Sequence, residues 1–222
     1  MDNTVGSIIE VDKFWQKKWK PIKDSLFLTS EQHSVLIGSI LGDGTLRIGT
    51  GAINANLKIE HGLVQKDYVV WKYKIFRPWV FTEPKISYRY RESGEKYAKS
   101  WWFRTVRHPI LTKFRNRFYE NGRKIIPGDI AKDIDNLAMA IWVMDDGSLN
   151  KNHIDISTYA FSLSEVKLLI AALNSRFGLS AKYYRDRDKG YRMYFNLEDT
   201  KNLIEIIKPY VMPVMQYKVK LR

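Results

Sequence analysis

The stretch Leu36-Ile37-Gly38-Ser39-Ile40-Leu41-Gly42-Asp43-Gly44 is an apolar run that stops on an acid set between two glycines. Thr29 stands upstream where a helix N-cap belongs, with Gln32 three residues on. Val35, Leu36, Ile40 and Leu41 then recur at helical spacing, which predicts a helix ending at Gly42. A second stretch, Met139-Ala140-Ile141-Trp142-Val143-Met144-Asp145-Asp146-Gly147, ends the same way and follows Asp133 or Asp135 as its cap. A single acid-glycine step is ordinarily a helix end or a turn. Two of them at matching places, each after an apolar helix, point to a duplicated unit.

Outward from these two helices the same order of elements returns. The first copy reads as strands over 45–48 and 54–60, turned by Gly49-Thr50-Gly51, then a helix over 65–80. Strands over 85–91 and 99–106 and a helix over 109–121 complete it. The second copy reads as a strand over 154–159 and a helix capped by Ser164 and stopped by Gly178. Strands over 181–187 and 191–196, turning at Lys189-Gly190, and a helix over 199–208 follow. The chain therefore divides into an extension (1–28), a first half (29–121), a junction holding Gly122, Pro127 and Gly128 (122–135), and a second half (136–222). The fold class expected is α+β, with two related halves in a pseudo-twofold monomer.

Composition narrows the partner. Among 222 residues, 37 Lys and Arg face 24 Asp and Glu, a net charge of +13, and a folded chain this basic usually meets a polyanion. The 45% apolar and 14% aromatic content is ample for a packed core. No cysteine is present, which excludes disulfides, thiolate zinc sites and cysteine nucleophiles. No stretch approaches the ~18 apolar residues of a membrane span, and the N-terminus lacks a signal-peptide core, so an intracellular setting is expected and no membrane. The basic and aromatic run Lys13 to Lys20 reads as an amphipathic helix packed on the domain, with room for phosphate contact.

Several strands carry one polar face. Lys85, Ser87, Arg89 and Arg91 alternate against Ile86, Tyr88 and Tyr90, and Asn54, Asn56 and Lys58 against Ala55, Leu57 and Ile59. In the second half Lys182, Tyr184 and Asp186 form one face, and Arg192 and Tyr194 another. Arg47 lies on the first strand. A solvent-facing sheet is also polar on one side. The surplus of positive charge favours contact with double-stranded DNA, because a two-stranded ribbon fits the major groove.

If the two apolar helices pack side by side, Asp43 and Asp146 meet. Close carboxylates repel and call for a cation, and oxygen-only ligands suit Mg²⁺ or Mn²⁺, with Ca²⁺ able to bind without supporting cleavage. Such an ion also takes a phosphate oxygen and activates water, so phosphodiester hydrolysis is the natural chemistry. Gly38 and Gly42, four residues apart on one face, permit close approach.

Residues 36–44 resemble the nine-residue signature of the LAGLIDADG homing endonucleases, and residues 139–147 look like its second copy. The resemblance covers about 29–218 and is nearest to the single-chain, two-motif members found in introns. It implies duplicated αββαββα units, antiparallel saddle-shaped sheets on DNA, two central interface helices, and metal-dependent cleavage of both strands of a long target. Its metal-binding acid falls on Asp43 and Asp146, with Gly42 and Asp145 as the neighbouring metal-site residues. The second copy departs from the pattern, with Ile141 and Asp145 where the first has Gly38 and Gly42, so asymmetric packing is expected. Lys124, before Ile125-Ile126-Pro127, and Lys218, after Pro209-Tyr210, Pro213 and Tyr217, match the family's lysines. Its peripheral polar positions fall on Glu60 and Ser157.

His33, His61, His108 and His153 show no zinc spacing, and only His61, beside Glu60, invites a test. The expected function is site-specific double-strand DNA cleavage that promotes intron or intein homing. The alternatives are an RNA maturase acting on its own intron, or a DNA-binding protein with a silent site. The retained acids favour cleavage.

Overall fold

A computed structural model describes residues 19–221 of the chain. The Lys13–Lys18 part of the basic N-terminal run lies outside the described residues. Residues 19–24 are helical, and Trp19 stacks on Phe81 with ring centroids 4.5 Å apart.

The first copy comprises α1 (Ser30–Leu41), β1 (Thr45–Arg47), β2 (Asn56–Gly62), α2 (Lys66–Ile75), β3 (Lys85–Tyr90), β4 (Lys96–Arg104) and α3 (Pro109–Phe118). A two-stranded ribbon, β5 (Tyr119–Glu120) and β6 (Arg123–Lys124), turns through Asn121 and Gly122, both at positive φ. The second copy is α4 (Asn136–Asp146), β7 (Gly147–Asn150), β8 (His153–Ser157), α5 (Leu163–Phe177), β9 (Ala181–Arg185), β10 (Tyr191–Phe195) and α6 (Leu197–Ile207). The αββαββα order thus occurs twice. Each copy builds one antiparallel sheet, in the order β1-β2-β4-β3 and β7-β8-β10-β9.

The two motif helices form the centre. α1 starts with a reciprocal cap, in which Gln32 N–H donates to Thr29 Oγ1 at 3.1 Å and Thr29 N–H to Gln32 Oε1 at 3.1 Å. α4 is capped by Asp135, whose Oδ1 accepts from Ala138 N–H at 2.8 Å, which settles the choice between Asp133 and Asp135. Asp133 instead pairs with Arg117. Val35, Leu36, Ile37 and Ile40 of α1 and every residue from Ala138 to Met144 of α4 are buried. A helix apolar on all sides must be covered on all sides. Here each helix is covered by its own sheet and by the other helix.

Glycine sets the spacing between them. A Cβ on Gly38 would lie 2.4 Å from the Ala138 carbonyl oxygen and 2.7 Å from Ile141 Cβ. One on Gly42 would lie 2.4 Å from Asp145 Cβ. The expected asymmetry is therefore present: α1 supplies the bare backbone and α4 the side chains that fill the gap.

Several local expectations need correction. Ser162, not Ser164, caps α5, in a reciprocal box with Glu165. α2 stops at Ile75 rather than running to 80, because Pro78 cannot continue the ladder and a 3₁₀ turn at Arg77–Trp79 replaces it. The strand β7 was not read from the sequence, since Gly147-Ser148-Leu149-Asn150 offers one apolar residue and no alternation. In the β3/β4 pair the register shifts between Ser87 and Tyr88: Ser87 faces Ser100 but Tyr88 faces Ala98, so Lys99 is extra and strict alternation fails.

Gly38→Ala should destabilise the fold by about 1–3 kcal/mol, the cost of overpacking a tight interface. Gly128→Ala, where an added Cβ meets nothing within 4 Å, should stay within about 0.5 kcal/mol. Urea melts of the two variants decide whether the helix contact limits stability.

Candidate active site

The C-terminal ends of α1 and α4 lie against each other. The Asp43 backbone N–H donates to Asp145 Oδ2 at 3.1 Å. Asp43 is exposed, and Asp146 is the last residue of α4. The Asp146 carboxyl accepts no hydrogen bond among the described residues. Burial, then the charges of Asp43 and Asp145, push it up to about 8. Both acids sit where the helix dipole is negative, which adds to the cost of ionising them.

A lysine approaches each helix end in the same way. Lys124 Nζ donates to the Gly42 carbonyl at 2.5 Å, and Lys218 Nζ to the Asp145 carbonyl at 2.8 Å. These are the carbonyls just before Asp43 and Asp146. Burial lowers both amines from the usual lysine value, and the nearby aspartates oppose this. Lys124 arrives on β6 and Lys218 on the 3₁₀ turn Pro213–Lys218, so unrelated elements give matching contacts.

The Asp145 side chain points inward. It is fully buried, and Lys72 Nζ donates to its two oxygens at 2.9 and 3.2 Å. Tyr68 Oη donates to Oδ1 at 2.7 Å. Burial alone would raise this carboxyl, but the Lys72 charge and these donors hold it below the usual value. Lys72 Nζ also lies 3.5 Å from His61 Nε2, while His61 Nδ1 lies 3.4 Å from Asp43 Oδ2. Lys72 and Tyr68 escaped sequence reading because a lysine in an otherwise mixed helix looks solvated. Their i, i+4 spacing on α2 was the available signal.

A cavity of about 370 Å³ opens beside Asp43, lined among others by Arg47, Lys58, Glu60, His61 and Ser100. Glu60 accepts from Lys58 and Ser100, which hold it below the usual carboxylate value against the opposing effect of its partial burial. Ser157 occupies the matching place on β8 opposite Arg192. On the first sheet, Arg47 pairs with Asn56, and Lys85 and Ser87 pair with Trp102 and Ser100, so these side chains share a face with Lys58. On the second, Lys182, Tyr184, Arg192 and Tyr194 share a face with Asp155 and Ser157.

Three sequence candidates lie outside strands. Asn54 precedes β2 and accepts from Thr112 Oγ1 at 3.0 Å. Arg91 pairs with Glu95 in the β3/β4 turn, at 2.7 Å. Asp186 follows β9 and accepts from Tyr159 Oη. β9 stops at Arg185 because the chain turns, with Asp186 N–H donating to the Gly190 carbonyl.

The donor set suits a hard divalent cation. Asp43 and Asp146 offer carboxylates, and Asp146 is a partly buried one that accepts no hydrogen bond among the described residues. Asp43, His61 and Asp145 also place one ligand atom each within 4.8 Å of one another. Asp145, however, already has both oxygens engaged.

Twin αββαββα units with an acid at the end of each central helix define the homing-endonuclease architecture. A sequence profile of the LAGLIDADG DNA endonuclease family matches residues 33–203, and the chain belongs to that family. It is 30% identical over 208 residues to the DNA endonuclease I-ChuI of Chlamydomonas applanata, covering 86% of this chain and 95% of that protein. It is 27% identical over 219 residues to the cytochrome b mRNA maturase bI2 of Debaryomyces hansenii, covering 97% and 83%. The solved structure of the homing endonuclease I-WcaI bound to its DNA recognition sequence superposes with a TM-score of 0.83 at 28% identity, covering 91% of this chain and 92% of that one.

Two outcomes test these electrostatics. Lys72→Met leaves Asp145 buried and unpaired and should cost about 3–5 kcal/mol in a urea melt. For Asp146, the folded carboxyl keeps its proton up to about 8, whereas the unfolded one loses it near the ordinary aspartate value of 3.8. The folded state therefore holds the extra proton between these limits, and stability falls as pH rises through that window. In EDTA, Asp146→Asn should gain on the wild type from pH 5 to pH 8 and then level off. A constant difference across that range would remove the argument.

Proposed function

We propose that this chain is a site-specific, divalent-metal-dependent DNA endonuclease that cuts both strands of a long target as a monomer. In this reading it promotes homing of the intron or intein that encodes it. The observation that carries the reading is the matched pair of helix ends, each with an acid and a lysine anchored on the carbonyl before it.

Asp43 and Asp146 would hold the metal, Mg²⁺ or Mn²⁺, with the carbonyls of Gly42 and Asp145 as further oxygens. The Asp145 carboxylate is excluded, since Lys72 and Tyr68 already occupy it. Bound there, the ion would supply an activated water and offset charge on the phosphate. Lys124 and Lys218 stand beside the acids, where their amines stabilise negative charge growing on a scissile phosphate. Glu60 and Ser157 line the edge of the centre and orient solvent.

Arg47, Asn56, Lys58, Lys85, Ser87 and Arg89 would meet DNA from the first sheet. Lys182, Tyr184, Arg192 and Tyr194 would do so from the second. Arg91 reaches DNA from the hairpin turn. Asn54 and Asp186 shape the strand ends instead. A second reading, RNA maturation, has one observation behind it: the match to the Debaryomyces hansenii maturase spans 97% of the chain. Splicing assistance does not require the paired acids, which weighs for cleavage.

The experiment uses duplexes made by joining the sequences that flank the gene. With Mg²⁺ the protein should cut both strands. Asp43→Asn should lower the rate by roughly three orders of magnitude while binding in Ca²⁺ holds, an effect on the scale of losing a central catalytic group. Stimulated splicing of the host intron by a wild type that leaves the duplex uncut would establish the maturase reading instead.

A further inference from the structure

The lysines match at the two helix ends, but the contact between His61 and Asp43 has no counterpart at Asp146 among the described residues. Thr45, two residues after Asp43, pairs with Lys58, and Ser148, two residues after Asp146, pairs with Asp155. By that register His61 corresponds to Thr158. Thr158 turns its hydroxyl to the Tyr191 carbonyl at 2.6 Å and offers nothing to Asp146. Likewise, Asp145 corresponds to Gly42, which has no side chain to mirror it.

His61 itself has little freedom. Its side chain is 2% exposed. Its ring lies 4.9 Å from that of Tyr68, whose hydroxyl is bonded to Asp145. A lysine ammonium can only donate, so Lys72 Nζ at 3.5 Å favours an unprotonated His61 Nε2 over a proton shared with Asp145 Oδ1 at 3.8 Å. The favoured tautomer carries its proton on Nδ1, which faces Asp43 Oδ2 at 3.4 Å. A protonated Nδ1 cannot be a metal ligand, but it can fix the carboxylate that is one.

We propose that His61 is a positioning residue for Asp43, braced from behind by Lys72, Tyr68 and Asp145 of the other half. The two acids are therefore unequal in holding a cation and in cutting their strands. The proposal rests on the nuclease reading above. In a pseudo-twofold protein on a duplex, each acid lies nearer one scissile phosphate, so loss of the brace falls mainly on one strand.

The test titrates the protein with Mn²⁺ and follows the free-ion EPR signal, using His61→Ala, His61→Asn and His61→Gln. The Asn amide nitrogen lies near the imidazole Nδ1 position and can still donate to Asp43. The Gln amide reaches instead toward Nε2 and Lys72, so it keeps bulk and polarity without the brace. Ala and Gln should weaken Mn²⁺ binding about tenfold and Asn much less, within the range seen when an outer-shell partner is lost. If Ala unfolds, the Asn and Gln pair still decides. Equal affinity in all three variants overturns the proposal, as does a directly bound histidine nitrogen in the Mn²⁺ spectrum of the wild type.

Strand-resolved cleavage gives the second readout. The Gln variant should slow one strand several times more than the other, and equal slowing overturns the inequality. A wild type that binds Mn²⁺ and cuts no duplex would sink the nuclease reading alone, because the metal titration decides the brace by itself.

Discussion

The close contact between α1 and α4 is the constraint on which the rest depends. With Gly38 against the Ala138 carbonyl and Gly42 against Asp145, two helices of opposite halves approach almost to backbone contact. That approach sets where each helix ends relative to the other. The acids then meet as a result of packing, and the sheets on either side inherit their positions from the helices they cover. Dispersion and burial among residues such as Ile37, Ile40, Ile141 and Trp142 hold the contact together, since interiors packed this tightly tolerate little change in volume.

The cost of this arrangement is electrostatic. Three carboxylates, Asp43, Asp145 and Asp146, gather at two helix C-termini, which already carry partial negative charge. Three lysines answer them in two ways. Lys72 neutralises Asp145 directly within the interior. Lys124 and Lys218 neutralise the helix ends by donating to terminal carbonyls, and so leave the carboxylates of Asp43 and Asp146 open. The elevated Asp146 is what remains uncompensated. Without a cation beside it, Asp146 therefore keeps a proton that an ordinary carboxyl has already lost at neutral pH.

Much of this was legible from residue order. The helix ends at Gly42 and Gly147, the cap at Thr29 and the repeat of elements all follow from local rules about caps, glycine and periodicity. What escaped was non-local. β7 forms because β8 lies beside it to complete the ladder, although its own residues carry no strand pattern. The Ser87/Tyr88 irregularity depends on how β3 meets β4, which alternation within one strand cannot reveal. Asn54 carries the same polar signal as Asn56, yet a threonine from α3 captures it. Asp145 reads as a second metal-site acid until its partners on α2 are known, and those lie more than seventy residues away.

The small ribbon between the halves has a consequence for how such proteins can be recombined. Within two adjacent residues, Lys124 reaches back to Gly42 while Arg123 grips Glu165 on α5, with Nη1 to Oε2 at 2.7 Å. The ribbon therefore belongs to both halves at once. A chimera that joins this first half to a foreign second half would inherit Arg123 without an assured acid at the start of α5. It would also place Gly38 and Gly42 opposite side chains of unknown size. Interchange of halves among relatives is thus limited by a handful of matched positions at the helix contact and the ribbon, and sequence libraries for such hybrids should hold those positions fixed.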